Sequence, residues 1–288
     1  MSTSASAAQT AIATFVQARQ TNRRLKRWAP LLAALLLTNT GPTAHARQAS
    51  DPSPASIAQY RVQVLDRKPQ SRSLFVQGLE IHAGKLYVGT GLYGQSRLMR
   101  YDFDSGALEL SRDLGRHLFG EGITLLGEKI YQLTWRKRRL LIYDRATMVL
   151  EGGWTIPGQG WGLTNNGKQL IYSDGSDQLF FLSATDGSIK RTLRVTQQGK
   201  PLRLINELEW INGQVWANVW GQDIIVIIDP DDGTVKARID LSGLLPAAER
   251  DSTTDVLNGI ARDAATGNIW VTGKRWPWLY HIRLEPQS

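Results

Sequence analysis

Five short runs in this sequence carry a polar or aromatic side chain at one recurring place: Phe75-Val-Gln-Gly-Leu79, Phe119-Gly-Glu-Gly-Ile123, Gln159-Gly-Trp-Gly-Leu163, Leu204-Ile-Asn-Glu-Leu208 and Val256-Leu-Asn-Gly-Ile260. Aligned on the closing aliphatic residue, they put Gln77, Glu121, Trp161, Asn206 and Asn258 in register. A purely structural repeat tends to fill such a position with one small or apolar type. One carboxylate, three amides and an indole are instead what a functional site grafted on a repeating frame carries. A second set follows the first. Four residues beyond a recurring aromatic stand Gly91, Trp135, Ser176, Trp220 and Lys274. With both sets at one end of a shared channel, Trp135, Trp161 and Trp220 converge around Glu121 and Lys274, an aromatic-walled pocket with few polar groups of the kind that takes a small molecule.

The elements that must hold these residues are strands. Helical periodicity is nearly absent, and short apolar runs recur between Gly, Asn and Asp turns. A glycine shortly before an aliphatic–aromatic pair marks a second strand in each unit: Gly84-Lys-Leu-Tyr87, Gly127-Glu-Lys-Ile-Tyr131, Gly167-Lys-Gln-Leu-Ile-Tyr172, Gly213-Gln-Val-Trp216 and Gly267-Asn-Ile-Trp270. A third strand and a turn follow in four units, ending at Asp102–Gly106, Asp144–Thr147, Ser183–Gly187 and Asp229–Gly233, and a fourth strand comes after each. Four strands repeated every 40 to 52 residues predict an all-β chain folded as a five-bladed β-propeller. The fifth unit, with strands at 256–262, 268–273 and 278–284, lacks its outer strand. The alternating stretch Tyr60–Asp66 supplies it, so an N-terminal strand closes the last blade and removes an open edge. The catalytic domain is then 60–288.

Composition narrows the chemistry. The 288 residues include no cysteine, four histidines and ten tryptophans. Disulfides, thiolate metal sites and cysteine nucleophiles are excluded. His82, His117 and His281 show no metal-ligand spacing and read as surface or turn residues. Asp229-Pro-Asp-Asp-Gly233 lacks the ligand ladder of a calcium loop and reads as a β-turn. Trp210, Trp216 and Trp270 read as packing between blades. The formal charge of +8 is concentrated at the start. Arg19, Arg23, Arg24, Lys26 and Arg27 precede the apolar run Trp28–Leu37 and the small-residue end Ala44-His-Ala46, the order of a signal peptide over 1–46. Of 34 basic residues, 29 remain after its removal against 26 acidic ones, a charge of about +3. That balance gives no reason to expect nucleic acid. Residues 47–59 read as a disordered leader. The expectation is a periplasmic or secreted monomer that does not stay in the membrane once the signal is cleaved.

The motifs Phe75-Val-Gln-Gly-Leu-Glu80, Phe119-Gly-Glu-Gly-Ile-Thr124, Tyr131-Gln-Leu-Thr-Trp135, Gly160-Trp-Gly-Leu-Thr164, Asn206-Glu-Leu-Glu209, Ala217-Asn-Val-Trp220, Leu257-Asn-Gly-Ile-Ala261 and Val271-Thr-Gly-Lys-Arg-Trp-Pro277 closely resemble those of the plant-type and bacterial glutaminyl-peptide cyclotransferases. The resemblance covers nearly all of 60–285. It implies a five-bladed propeller that turns the N-terminal glutamine of peptides or proteins into pyroglutamate with release of ammonia. It further implies Glu121, Asn206 and Lys274 as catalytic residues, and Gln77, Trp135, Trp161, Trp220, Phe75 and Phe119 as substrate-binding residues. In that chemistry Glu121 shuttles the proton. Asn206, Gln77 and the indole N–H groups are candidate donors to the amide oxygens, and Lys274 stabilises oxyanion charge or orients Glu121. No step needs a metal or other cofactor, and a structural ion in the channel is left open. Two other readings compete: a calcium-dependent lactonase-like hydrolase, and a non-catalytic propeller that binds peptides at its rim.

Overall fold

The computed structural model describes residues 56–287, and every structural statement here concerns those residues. The expected signal peptide and most of the expected leader lie outside them. The chain is all-β apart from one 3-10 turn at Ala247–Glu249. It opens with β1 (Ala58–Pro69). A first meander follows, β2 (Val76–His82), β3 (Lys85–Thr90), β4 (Arg97–Asp102) and β5 (Leu108–Asp113). The second is β6 (Gly120–Leu126), β7 (Lys129–Thr134), β8 (Arg139–Asp144) and β9 (Leu150–Thr155). The third is β10 (Leu163–Asn165), β11 (Gln169–Ser173), β12 (Gln178–Ser183) and β13 (Ile189–Arg194). A small hairpin comes next, β14 (Thr196–Gln197) with β15 (Lys200–Pro201). The fourth meander is β16 (Ile205–Ile211), β17 (Gln214–Val219), β18 (Ile224–Ile228) and β19 (Val235–Asp240). The chain ends with β20 (Leu257–Arg262), β21 (Ile269–Gly273) and β22 (Trp278–Pro286).

The first three meanders are separate four-stranded sheets, whereas the fourth and the last three strands join into one eight-stranded sheet ordered β16-β17-β18-β19-β1-β22-β21-β20. The join is β1. It runs antiparallel to β22 from Tyr60↔Pro286 to Pro69↔Trp278, and parallel to β19 over Ala58–Arg61. β1 begins at Ala58, inside the stretch read as leader, and runs three residues past Asp66, because its partners extend the ladder at both ends.

Apolar layers fill the space between consecutive meanders. Tyr87 and Leu98 of the first pack with Ile123, Ile130 and Leu141 of the second. Tyr131 and Leu133 pack with Leu163, Leu170 and Tyr172. Ile171, Leu179 and Phe181 pack with Leu208, Ala217 and Val226. Trp216, Ile225 and Ile239 pack with Ile260, Val271 and Ile282. The series closes where Ala261, Trp270 and Leu279 meet Val76, Leu79 and Val88 of the first meander. The recurring aromatics of the second strands are buried in four of these layers, so Trp216 and Trp270 lie between consecutive strand sets as expected, and half-buried Trp210 packs against the layer between the third and fourth meanders. Truncating one of these large apolar side chains costs about 2–5 kcal/mol. His281 departs from the sequence reading. It lies within β22, stacked 5.0 Å from the Trp270 ring.

The first strands approach one another closely. A Cβ on Gly78 would sit 2.4 Å from the backbone nitrogen of Ile123, one on Gly122 would sit 2.5 Å from that of Leu163, and one on Gly162 would sit 1.9 Å from the Asn206 carbonyl oxygen. Only glycine permits that spacing.

Candidate active site

The candidate residues stand where the first strands are irregular. The β2–β3 register shifts between Val76 and Gly78, β6–β7 between Gly120 and Ile123, β16–β17 between Ile205 and Leu208, and β20–β21 between Leu257 and Ile260. Gln77, Glu121, Asn206 and Asn258 each fall inside such a bulge. A bulge releases a residue from the ladder and re-aims its side chain, a device often found beside active sites. In the third meander Trp161 precedes β10 by two residues and is held by its own N–H on the Ser173 carbonyl at 2.9 Å.

Aromatic rings build one wall. Phe119 packs edge-on against Phe75 at 6.3 Å, Trp135 at 5.4 Å and the half-exposed Tyr93 at 5.5 Å. Gly91 makes room for this ring, since a Cβ there would come within 2.5 Å of Phe119 and 3.1 Å of the Gln77 side chain. Trp161 lies across Gly175, whose φ of +80° and 2.7 Å approach to the indole both demand glycine. The two indoles are tied together. Trp135 Nε1 donates to Gln159 Oε1 at 2.5 Å and Trp161 Nε1 donates to the same oxygen at 3.2 Å. These N–H groups are therefore committed to protein, so the expected donation from Trp135 or Trp161 to a substrate oxygen conflicts with the observed bonds. Trp220 stands in the matching turn, half-buried, with its backbone N–H on Leu204 at 2.8 Å, and it enters no aromatic pair with this wall among the described residues.

Glu121 and Lys274 are both buried, at 5% relative exposure each. Burial pushes the Glu121 carboxyl well above the ordinary carboxylate range, and the Lys274 ammonium partly offsets this. Burial likewise lowers Lys274, opposed by the negative charge of Glu121 and Asp255. The lysine Nζ also lies 5.1 Å from the Phe75 ring centroid, which places it at the aromatic wall. Its turn is held by Trp276, which packs on Gly273 and donates from Nε1 to the Asp255 carbonyl at 2.9 Å. Asn206 Nδ2 donates to Asn258 Oδ1 at 2.6 Å, and Asn258 Nδ2 donates to the Val76 carbonyl at 3.0 Å. This amide chain ties three first strands and fixes the Asn206 head group. Gln77 Oε1 is buried and accepts no hydrogen bond. Such an atom has lost water without gaining a partner, which makes it a ready acceptor for a donor that enters the pocket.

Sequence reasoning missed three features. Gln159 opens one of the recurring runs, yet its role depends on two indoles from different turns. Tyr93 belongs to a turn whose aligned residue is Gly91. The third is a set of carboxylates, Glu207 and Glu209 buried and Glu80 half-buried. Glu207 occupies the position that is glycine in the other four runs, and accepts the N–H groups of Ile260 at 2.9 Å and Leu79 at 3.3 Å. Glu80 accepts from Leu125 at 2.8 Å and Glu209 from Arg262 at 2.9 Å. Burial raises all three, Glu80 to about 7, and mutual repulsion adds to the rise at Glu207 and Glu209. The break in the glycine pattern at Glu207 was the available signal. Among the described residues no group of three or more His, Cys, Asp or Glu is arranged to hold a metal ion.

The family model of glutamine cyclotransferases matches residues 32–284. The chain is 38% identical over 234 residues to a glutaminyl-peptide cyclotransferase of Arabidopsis thaliana, covering 79% of this chain and 72% of that protein. The fold is similar to the crystal structure of the Myxococcus xanthus glutaminyl cyclase, with a TM-score of 0.76 at 33% identity, over 81% of this chain and 100% of that one.

Proposed function

The chain belongs to the glutamine cyclotransferase family, and from that premise we propose how its pocket performs the reaction. The activity is that of a glutaminyl-peptide cyclotransferase, an acyltransferase acting on N-terminal glutamine. The α-nitrogen of the substrate attacks the γ-carbonyl carbon of its own side chain. A new C–N bond closes the five-membered lactam, the bond to the side-chain nitrogen breaks, and ammonia leaves. Folding the side chain onto the amine makes the step intramolecular, which supplies much of the acceleration. The aromatic wall of Phe75, Phe119, Trp135 and Trp161 enforces that folded shape.

Glu121 takes the proton of the attacking amine and passes it to the departing nitrogen. The observation that carries this role is a buried carboxyl that interacts electrostatically with a buried lysine, its proton affinity raised by burial and restrained by Lys274. A group so balanced serves in both directions of transfer. An α-amine, with an ordinary pKa of about 7.7–8.0, needs only a modest base. Asn206, oriented by Asn258, retains a second N–H for the developing oxyanion, and Lys274 adds positive charge beside it. Gln77 Oε1 accepts from the substrate, and Trp220 covers the pocket from the fourth meander.

We read the architecture as a five-bladed propeller, a reading favoured by the five consecutive apolar layers that return to the first meander. Glu80, Glu207 and Glu209 already accept backbone N–H groups. The proposed mechanism routes no step through an ion. We further read the protein as a monomer exported to the periplasm or beyond. No described helix is long and apolar enough to cross a membrane. Incubating the protein with a Gln-initiated peptide, with and without a chelator, tests the reaction. Mass spectrometry should find loss of one ammonia in both arms; loss of product with the chelator alone would overturn the metal-independent mechanism.

A further inference from the structure

The pocket residue Trp135 is followed by Arg136-Lys-Arg-Arg139, four consecutive cations, all exposed. None of the four enters an ion pair among the described residues. Several other surface cations are paired, among them Lys85 with Asp102 and Glu109, Lys129 with Glu151, Arg145 with Glu128, and Lys236 with Asp229 and Asp232, whereas this run sets four unpaired cations side by side. The turn itself is fixed. Arg139 N–H donates to Thr134 Oγ1 at 2.9 Å, and Ile156 N–H donates to the Arg138 carbonyl at 2.9 Å, which ties it to the segment leading to Gln159. The Arg136 guanidinium lies over the Trp135 ring, 4.0 Å from its centroid, so the cationic run starts on the pocket wall. Arg116, also exposed, adds a cation in the segment that leads to Phe119. Acidic groups near the pocket, Asp174 and Asp255, stand on other turns.

Like charges held together without counter-ions repel one another, and a fixed turn cannot spread them apart. Such a cluster gains from an anionic partner, and a charged wall beside a cleft attracts one. A peptide whose terminal glutamine is folded into the pocket must leave by the rim, advancing about 3.3–3.6 Å per residue. We propose that Arg136–Arg139 forms a subsite for the residues that follow the terminal glutamine and selects peptides with Asp or Glu there. This rests on the cyclotransferase reading and adds the substrate class.

The test compares kcat/KM for Gln-Glu-Glu, Gln-Ala-Ala and Gln-Lys-Lys peptides in the wild type and in a Lys137→Ser/Arg138→Asn double variant. Arg138 has φ +53°, which asparagine tolerates, and both side chains are exposed, so the variant should melt like the parent. At low ionic strength the acidic peptide should be favoured over the neutral one by about tenfold. The preference should collapse in the variant, and also at ~1 M salt, where screening acts within about 3 Å. Turnover of the neutral peptide with no acidic preference overturns the subsite alone. Failure to cyclise any of the three overturns the activity reading and the subsite with it. An oligonucleotide bound at physiological salt through Lys137 and Arg138, with no peptide preference, would assign the turn to nucleic acid and overturn the proposal.

Discussion

The two ends of the strands are built on opposite rules. At one end the same hydrogen-bonded turn recurs, four times between a third and a fourth strand and once between β20 and β21: Gly106, Met148, Gly187, Gly233 and Gly267 each donate backbone N–H to the carbonyl four residues earlier, and each has a positive φ. Asp, Ser and Thr side chains lock these turns, as in Asp102 with Ser105 and Asp144 with Thr147. At the other end the equivalent positions share almost nothing: Gln77, Glu121, Trp161, Asn206 and Asn258, with Gly91, Trp135, Ser176, Trp220 and Lys274 around them. Repetition marks the end where each meander needs only to reverse its chain. Divergence marks the end where the proposed pocket draws on side chains that differ from one meander to the next.

Four measurements sharpen or break this contrast. Glu121→Gln should lower kcat by about 10²- to 10⁴-fold, the range for a lost proton-transfer group, with an unchanged melting curve; ammonia release at the parental rate would remove the carboxylate from the mechanism. Gly162→Ala should cost at least about 3 kcal/mol in denaturant unfolding, because its Cβ would fall 1.9 Å from the Asn206 oxygen, backbone against backbone. The third concerns Glu80, Glu207 and Glu209. Burial raises their folded-state affinity for protons, so they contribute fully below the ordinary carboxyl range, and the contribution fades as pH rises through about 7 for Glu80. Tm should fall by about 5 °C or more between pH 5 and 8, and Glu80→Gln should flatten that slope. The smallest effect is expected at the repeated end. Gly106→Ala meets no atom within 4 Å and is strained only by its φ of +71°, so a loss of about 1–2 kcal/mol with unchanged kcat/KM should follow.

How much could be read in advance divides along the same line. Glu121, Lys274 and the tryptophans were legible because each breaks a repeat whose other copies are visible. The four-strand unit was legible from its glycines and paired aromatics. The bulges that carry Gln77, Glu121, Asn206 and Asn258 were not, since a bulge is a property of two strands, and each run still alternates normally by itself. Gln159 was unreadable for a similar reason: one oxygen serves two indoles whose meeting depends on packing. The commitment of those indole N–H groups removes Trp135 and Trp161 from the expected donors and leaves them as walls. Glu207 could have been found, because a carboxylate where four other runs place glycine is a large departure. The first two residues of β1 were hidden by their parallel pairing with β19, which no local pattern announces.

β1 also sets the order in which the molecule can assemble. The first three meanders are each made of neighbouring segments, so their sheets can form as soon as their own residues are available. β1 is emitted before all of them, yet its partners are β19 and β22, near the far end of the chain. Pairings of such long sequence separation are slow, because the intervening loop must be ordered before they form. The earliest strand is thus the last to settle. A chain cut short before β22 would hold its first strand unpaired along one edge, open to a neighbouring molecule.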